Sequence, residues 1–365
     1  MKHVVVVSEF AGPGGPYFVL LRLVKFLLAE GHVVTVVPYD SRHPDLDALS
    51  QDNPQLVIAP RPSHGRRGTP LFRPLVYLKE AIQVRRWIRG QQTPADVVIF
   101  SVTSPGRFLF PARMAKKTLY LLHSTPTGLF HRLAGPYFRS LLPRGATIVS
   151  VSQDLGNHMT KIWRMSKTDS RLHVLRNTTG LPVPRSAVPV GSQTVLMVGR
   201  VSPEKCPLLW VDVASIVISQ TSDAVKFVWL GDGPLRTACL QRVSERGLEG
   251  RISFPGFVEN PEEAYQTASL YLHLATRDSM PLAAIDALRF GLPVVVSSAG
   301  GLPEVLEGNH NGLLLESYDS EHIGSQVTDM LSGGKQLGKM GQESSRVYAA
   351  RFSPMVWEST LRELL

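Results

Sequence analysis

Residues 3–8 read HVVVVS, four valines with no polar residue between them. A strand with one face in water alternates apolar with polar residues. An unbroken apolar run needs both faces covered, which is the condition inside a parallel sheet flanked by helices. The run leads into AGPGGP, a turn, then into YFVLLRLVKFLLAEG, which predicts a helix ending at Gly31, and then into a second apolar strand, HVVTVVP. Parallel strands need a crossover between them, so this strand–loop–helix–strand unit sets the class as α/β, doubly wound.

The alternation continues along the chain. Residues 41–75, rich in Pro, Arg, His and Gly, predict a long loop region; PLVYLKEAIQVRRWIRG predicts a helix, and DVVIFS, TLYLLHST and TIVSVS predict strands. RLHVLRNTTG closes this first series, and in LPVPRSAVPVGSQ (181–193) Pro, Gly and Ser cluster without periodicity. A second series then starts at TVLMVGR and runs through helices near 205–219 and 234–247. Its later members are the helix PEEAYQTA, the strand LYLHLA, a helix carrying Asp286, the strands PVVVSS and GLLLES, and C-terminal helices. The expected architecture is two doubly wound α/β domains of similar size, with the carboxyl ends of their strands facing across a cleft.

The 365 residues suffice for two such domains. Two cysteines, Cys206 and Cys239, are too few for a disulfide framework, and a reducing, cytosolic setting is expected. No apolar run approaches membrane-spanning length. The opening MKHVVVVSEFAGPGG has too short an apolar core for a signal peptide, and Glu9 interrupts it. Charge is unevenly placed: residues 1–190 hold 25 Lys or Arg against 10 Asp or Glu, net +15, while 191–365 hold 14 against 20, net −6. The basic half suggests an anionic partner, whether nucleic acid, phosphorylated lipid, membrane surface or anionic saccharide; a solvated basic face is the alternative.

Three places bear chemistry. Gly14 and Gly15 belong to a glycine loop between a strand and a helix, suited either to close approach of a ligand or to a tight turn. The spacing is not that of a dinucleotide fingerprint, and no acid follows the second strand before Asp40. Arg200 and Lys205, in VGRVSPEKC, are expected at a strand end and at the start of the next helix. There they suit a diphosphate and the charge that grows on its leaving oxygen, or are surface charge. In RDSMPLAAIDALRFGLPVVVS (277–297), Pro281 fits a first helical position, with Asp278 just outside the helix and Asp286 well inside. The free N–H groups around Leu282 and Ala283 would face a phosphate. Two carboxylates flanking such a helix start describe a sugar-nucleotide site; a cap and a solvent-facing residue are the alternative.

The segments VGRVSPEK (198–205), WLGDGPLR (229–236), FPGFV (254–258), RDSMPLAAIDALRFGLPVV (277–295) and GGLPEVLEGNHNGLLL (300–315) agree in order and spacing with one large family. The chain resembles the retaining GT-B glycosyltransferases, a family that includes sucrose synthases, bacterial mannosyltransferases and lipopolysaccharide glycosyltransferases. The first half matches more loosely, through its glycine loop, HST (123–125), SVSQDL (150–155) and VLRNTTG (174–180).

The resemblance implies a GT-B architecture. Residues 1–185 would be an acceptor-binding domain, 186–345 a nucleotide-sugar-binding domain, and 346–365 a C-terminal helix packing back toward the first. It implies a catalytic set of His123, Arg200, Lys205 and Asp278. Arg200 and Lys205 would hold the donor diphosphate, while Asp278 and the nearby His123 would serve the transferred sugar. Asp286 would bind the ribose, and Gly14 and Gly15 would close over donor and acceptor. Gly199, Val258, Met280, Pro281, Leu282 and Ala283 would complete the donor site, joined by Gly233, whose alternative is a plain turn after a strand, and Glu304, whose alternative is a structural role at a helix start. The family carries glutamate where this chain has Asp278 and Asp286, and commonly glycine where it has Cys206.

The activity implied is metal-independent transfer, with retention, from a UDP-, GDP- or dTDP-sugar to a hydroxyl of a saccharide or lipid-linked acceptor. Bacterial surface polysaccharide or glycoconjugate synthesis, on the cytoplasmic side and peripheral to an anionic membrane, is the setting expected. A separate cofactor, a bound metal and nucleic acid are not expected. Elsewhere, Phe72, Tyr77 and Trp87 stand beside Arg73, Arg85, Arg86 and Arg89, which suits an interface or a lipid headgroup as well as core packing with a basic face. His131, His158 and His310 lack metal-like partners in sequence. A nucleotide-sugar epimerase would want an acid–base pair placed for epimerisation, and the resemblance at Asp278 and Asp286 speaks against it. A non-enzymatic binder of nucleic acid or anionic glycan would want a recognition module, which is missing.

Overall fold

The computed structural model describes residues 1–9, 14–38, 44–59, 73–102, 109, 114–126, 129–166, 168–184, 193–221 and 225–365. Gly12 and Pro13 of the first loop, Asp40, Phe72 and most of 181–193 lie outside the described residues, as do the side chains of Arg73, Tyr77 and His131. The chain divides into two compact units, one of Met1–Arg176 with Trp357–Leu365 and the other of Asn177–Val356.

Unit 1 is built on a sheet of β1 (His3–Ser8), β2 (Val33–Pro38), β3 (Leu56–Ile58), β4 (Val97–Val102), β5 (Lys117–Leu122), β6 (Thr147–Ser150) and β7 (Leu172–Val174). The order is β3-β2-β1-β4-β5-β6-β7 with every pairing parallel. Val4, Val5, Val6 and Val7 are fully buried, as the unbroken run requires. The connecting helices are α1 (Gly15–Ala29), α2 (Pro44–Asp52), α3 (Arg73–Arg89), α4 (Leu129–Ser140) and α5 (Gln153–Trp163). The loop region expected at 41–75 therefore contains a helix and a strand. Leu46 and Leu56 are buried, but β3 is a three-residue edge strand between Pro54 and Pro60, too short to show periodicity.

Unit 2 repeats the plan with β8 (Thr194–Val198), β9 (Lys226–Leu230), β10 (Ile252–Gly256), β11 (Leu270–His273), β12 (Val294–Ser297) and β13 (Gly312–Leu315). Its order is β10-β9-β8-β11-β12-β13, again parallel. Helices α6 (Pro207–Gln220), α7 (Arg236–Glu245), α8 (Glu262–Thr267), α9 (Leu282–Arg289), α10 (Ser320–Ser332), α11 (Gly334–Arg351) and α12 (Pro354–Leu364) follow. Trp210 of α6 meets Trp229 of β9 edge to face, with ring centres 5.3 Å apart, and Phe227 and Phe254 complete an aromatic core.

In each sheet the strand order reverses beside the first strand, between β1 and β4 and between β8 and β11. Such a switch point opens a crevice at the carboxyl ends of the strands. The segment NTTG, which by composition closes the first series, belongs to unit 2 by its bonds. Asn177 Nδ2 donates to the Met280 carbonyl at 2.8 Å, and the Thr179 hydroxyl meets that of Tyr348 at 3.1 Å.

Candidate functional site

The switch point of unit 2 is where the charged residues gather. β8 ends at Val198, and the chain turns through Arg200 into a 3₁₀ turn, Pro203–Lys205. Lys205 was expected at the start of a helix. Cys206 instead takes a left-handed φ of 48° and separates the 3₁₀ turn from α6, whose first residue is Pro207. On the neighbouring strand, β11 ends at His273 and the chain runs on to Asp278.

There Lys205 Nζ and Asp278 Oδ2 form an ion pair, with side chains 15% and 13% exposed. His273 completes a triangle: its Nε2 lies 3.4 Å from Lys205 Nζ and 3.3 Å from Asp278 Oδ2. Nδ1 of the same ring is 3.2 Å from the Tyr271 hydroxyl, which is 3.4 Å from the Val198 carbonyl. Burial raises the Asp278 carboxyl, but the Lys205 ammonium, the strongest opposing influence, holds the group down at about 2. Burial and Lys205 lower His273, against the opposing pull of Asp278. The cluster at working pH is thus a cation, a carboxylate and a neutral imidazole. Arg200 is exposed and makes no hydrogen bond to Lys205 or Asp278 among the described residues.

The Asp278 backbone is fixed from behind. Gly301 N–H donates to the Asp278 carbonyl at 2.8 Å, and a Cβ on Gly300, whose φ is +57°, would overlap that carbonyl. Only glycine satisfies both demands, which explains GGLPEV; Glu304 of that segment is half-buried on a 3₁₀ turn, Leu302–Val305. Gly233 has a packing reason too, since a Cβ there would overlap the Val201 carbonyl. Gly199 lies just past β8, and Val258, beside the 71% exposed ring of Phe257, lies just past β10.

α9 begins at Leu282, one residue later than expected, with Pro281 in extended conformation as its cap and no side-chain bond to the first-turn N–H groups. Leu282 and Ala283 are half-buried, and Met280 is buried. Asp286, 24% exposed, accepts from Arg289 Nε at 3.0 Å. Arg289 is itself only 5% exposed, reaches Glu262 at 2.7 Å and lies over the Phe290 ring. The two aspartates thus have different surroundings, one facing Lys205 and His273 and the other held by Arg289. Sequence reasoning missed His273, Tyr271 and Arg289. The period of two in LYLHLA puts Tyr271 and His273 on one face of β11, and Arg289 stands one helical turn after Asp286.

In unit 1, Gly14 caps α1 and Gly15 opens it, with Tyr17 and Phe18 N–H groups donating to the Gly14 carbonyl. His123 follows β5, is 6% exposed, and has Nε2 2.9 Å from Ser101 Oγ of β4. Burial pushes it down to about 3, so it is a neutral hydrogen-bonding group. Among the described residues no helix is long and apolar enough to cross a membrane, and no group of three or more His, Cys, Asp or Glu side chains could hold a metal ion.

Residues 184–347 match the family model described as Glycosyl transferases group 1, and residues 13–179 match that of Glycosyltransferase Family 4. The fold is that of Anabaena HepE solved with UDP (TM-score 0.75, 17% identity, 100% of this chain and 99% of that one). It is also that of a glycosyltransferase from Rickettsia africae ESF-5 (TM-score 0.74, 14% identity, 100% and 97%). The chain belongs to the GT-B fold glycosyltransferases.

Among relatives in this family, N-acetyl-alpha-D-glucosaminyl L-malate synthase of Bacillus anthracis is 29% identical over 119 residues, 33% of this chain and 31% of that protein. D-inositol 3-phosphate glycosyltransferase of Corynebacterium urealyticum is 27% identical over 186 residues, 49% and 43%. The chain thus spans less than half the length of these curated relatives.

Proposed function

We propose that the chain transfers a sugar, with retention at the anomeric carbon, from a UDP-sugar to a hydroxyl of a saccharide or lipid-linked acceptor. The observation that carries this reading is the cation–carboxylate cluster of Lys205 and Asp278 at the switch point of unit 2, beside the uncapped start of α9. Solved relatives bound to UDP and to UDP-glucose favour uridine as the nucleoside. Lys205 and Arg200 bind the diphosphate with the N–H groups of Leu282 and Ala283. As the diphosphate arrives it replaces the Asp278 carboxylate as the partner of Lys205, and Asp278 is released to accept from a sugar hydroxyl. Asp286, oriented by Arg289, accepts from the ribose, with Glu304 nearby. Val258 and Phe257 offer the base an apolar face, and Gly199, Gly233 and the Met280–Pro281 backbone shape the crevice.

The acceptor oxygen attacks the anomeric carbon from the face that the diphosphate leaves. The bond from that carbon to the phosphate oxygen breaks, its electron pair goes to the leaving phosphate, and that oxygen takes the acceptor's proton. Positioning and stabilisation of the leaving charge supply the rate. Neutral His123 and the loop at Gly14 and Gly15 serve the transferred sugar and the acceptor. The basic excess of residues 1–190, including the exposed Lys79, Arg86 and Arg89 of α3, favours an anionic acceptor or lipid surface at the cytoplasmic face.

A screen of nucleotide sugars for protection against thermal unfolding, followed by determination of the product anomer by NMR, tests the reading. Arg200→Ala is the clean variant, because its side chain is exposed: turnover should fall about 100-fold at unchanged melting temperature. Lys205→Ala should lower both, since it strands a buried carboxylate. No protection by any UDP-sugar, or an inverted product, removes this proposal.

A further inference from the structure

His273 is the group in the cluster to which neither the family-derived roles nor the mechanism above gives a task. It is 1% exposed at the end of β11 and has polar neighbours at both ring nitrogens. Nε2 faces a donor, Lys205 Nζ at 3.4 Å, and an acceptor, Asp278 Oδ2 at 3.3 Å. A neutral imidazole nitrogen serves only one of these at a time: bare, it accepts from the ammonium; protonated, it donates to the carboxylate. The other end of the ring permits both states. The Tyr271 hydroxyl lies between Nδ1, at 3.2 Å, and the Val198 carbonyl, at 3.4 Å. It can donate to the carbonyl while accepting from Nδ1–H, or donate to a bare Nδ1.

We propose that His273 is a positioning residue that changes tautomer when the diphosphate takes Lys205, accepting from Lys205 beforehand and donating to Asp278 afterwards. In the first arrangement Nδ1–H donates to Tyr271, the Tyr271 hydroxyl donates to Val198, and Nε2 accepts from Lys205. In the second, Lys205 has gone to the phosphates, Tyr271 donates to Nδ1, and Nε2–H donates to Asp278. Nδ1 releases one proton to water and Nε2 takes one up, so the ring stays neutral. The gain is that Asp278 is never left as a buried, unpartnered carboxylate, which would otherwise protonate or swing away from the sugar. The inference rests on the reading of Lys205 as a diphosphate ligand.

The nitrogen shifts of [15N]histidine-labelled full-length protein, assigned by loss of the His273 signal in His273→Gln, report the tautomer directly. At pH 8 the expected spectrum has a protonated Nδ1 and a bare Nε2, and saturating UDP or inorganic pyrophosphate should exchange the two. Lys205→Met should give the exchanged spectrum with no anion at all, which separates the inference from the donor reading. If calorimetry detects no binding of either anion, the donor reading fails and Lys205→Met alone decides the tautomer exchange. Tyr271→Phe, which keeps the ring and removes the hydroxyl, should abolish the exchange. In transfer from UDP-glucose, His273→Gln, which keeps a donor near the Nε2 position, should retain at least tenfold more kcat than His273→Leu at similar KM. The same tautomer in wild type and Lys205→Met, or an imidazolium in either at pH 8, overturns the proposal.

Discussion

Asp278 is held ionised by Lys205, a residue 73 positions away in sequence, and this has a consequence for stability. Its carboxyl sits at about 2 in the folded protein, held down chiefly by the Lys205 ammonium against the burial that would raise it. The unfolded value is about 3.9. A carboxylate depressed on folding contributes stability that is present above the unfolded value and lost as pH falls through the folded one. The pair should therefore contribute about 3 kcal/mol at neutral pH, lost between about pH 4 and pH 2. Urea unfolding at steps of pH, followed by the fluorescence of the buried Trp210 and Trp229, should show this decline in wild type. In Asp278→Asn the share carried by this group should be missing. Identical pH dependence in the two would show that Asp278 is not ionised against Lys205. Asp278 and Lys205 were both singled out in the sequence as candidates, by type and by place relative to strands and helices. Their direct pairing was not, because 73 positions separate them and only the adjacency of β8 and β11 brings them together. His273 was hidden for a related reason: within an apolar strand a histidine reads as one more core residue.

The elements that carry the site divide by how local their causes are. Strands such as VVVV and PVVVSS, and helices such as α1, follow from runs and periods contained within themselves, and these were plain in the sequence. α2, β3 and the 3₁₀ turn before Cys206 were not, since short elements between prolines are fixed by what they pack on. The Gly300–Gly301 loop is fixed in the same way, by the Asp278 carbonyl behind it. Two glycines separate its causes. Gly300 and Gly308 have nearly the same φ, +57° and +56°, but a Cβ on Gly308 would meet nothing nearer than His310 Cδ2 at 3.9 Å. Gly308→Ala should therefore cost only the backbone preference, about 1 kcal/mol. Gly300→Ala adds a backbone collision and should cost about 3 kcal/mol or more, displacing Asp278 and weakening donor binding as well. Chemical denaturation of both variants, with nucleotide titration of Gly300→Ala, measures the two parts. Equal costs would mean that the loop does not press on Asp278.

At the scale of the whole molecule, the chain's last residues belong with its first. Trp357–Leu365 is counted with unit 1, and the boundary falls inside α12. The Trp357 ring meets Phe26 of α1 edge to face at 5.8 Å, and Arg362 pairs with Glu30 at 2.9 Å while lying over the same Phe26 ring. Leu361 and Leu364 line a small apolar cavity together with Leu23 of α1 and Leu121 of β5. Exposed ion pairs add little, so the apolar contacts dominate. Trp357 is 3% exposed, and Trp357→Ala should cost unit 1 about 3–5 kcal/mol through lost burial and the cavity left behind. Arg362→Ala, by contrast, should cost far less, because solvent screens its ion pair with Glu30. Hydrogen exchange resolved by peptide should locate the effect. Amides of α1 and β1 should lose protection in Trp357→Ala while those of β8 and β9 keep theirs. Loss confined to β8 and β9 would mean that the segment supports unit 2, and that its contacts with Phe26 carry little of the stability of unit 1.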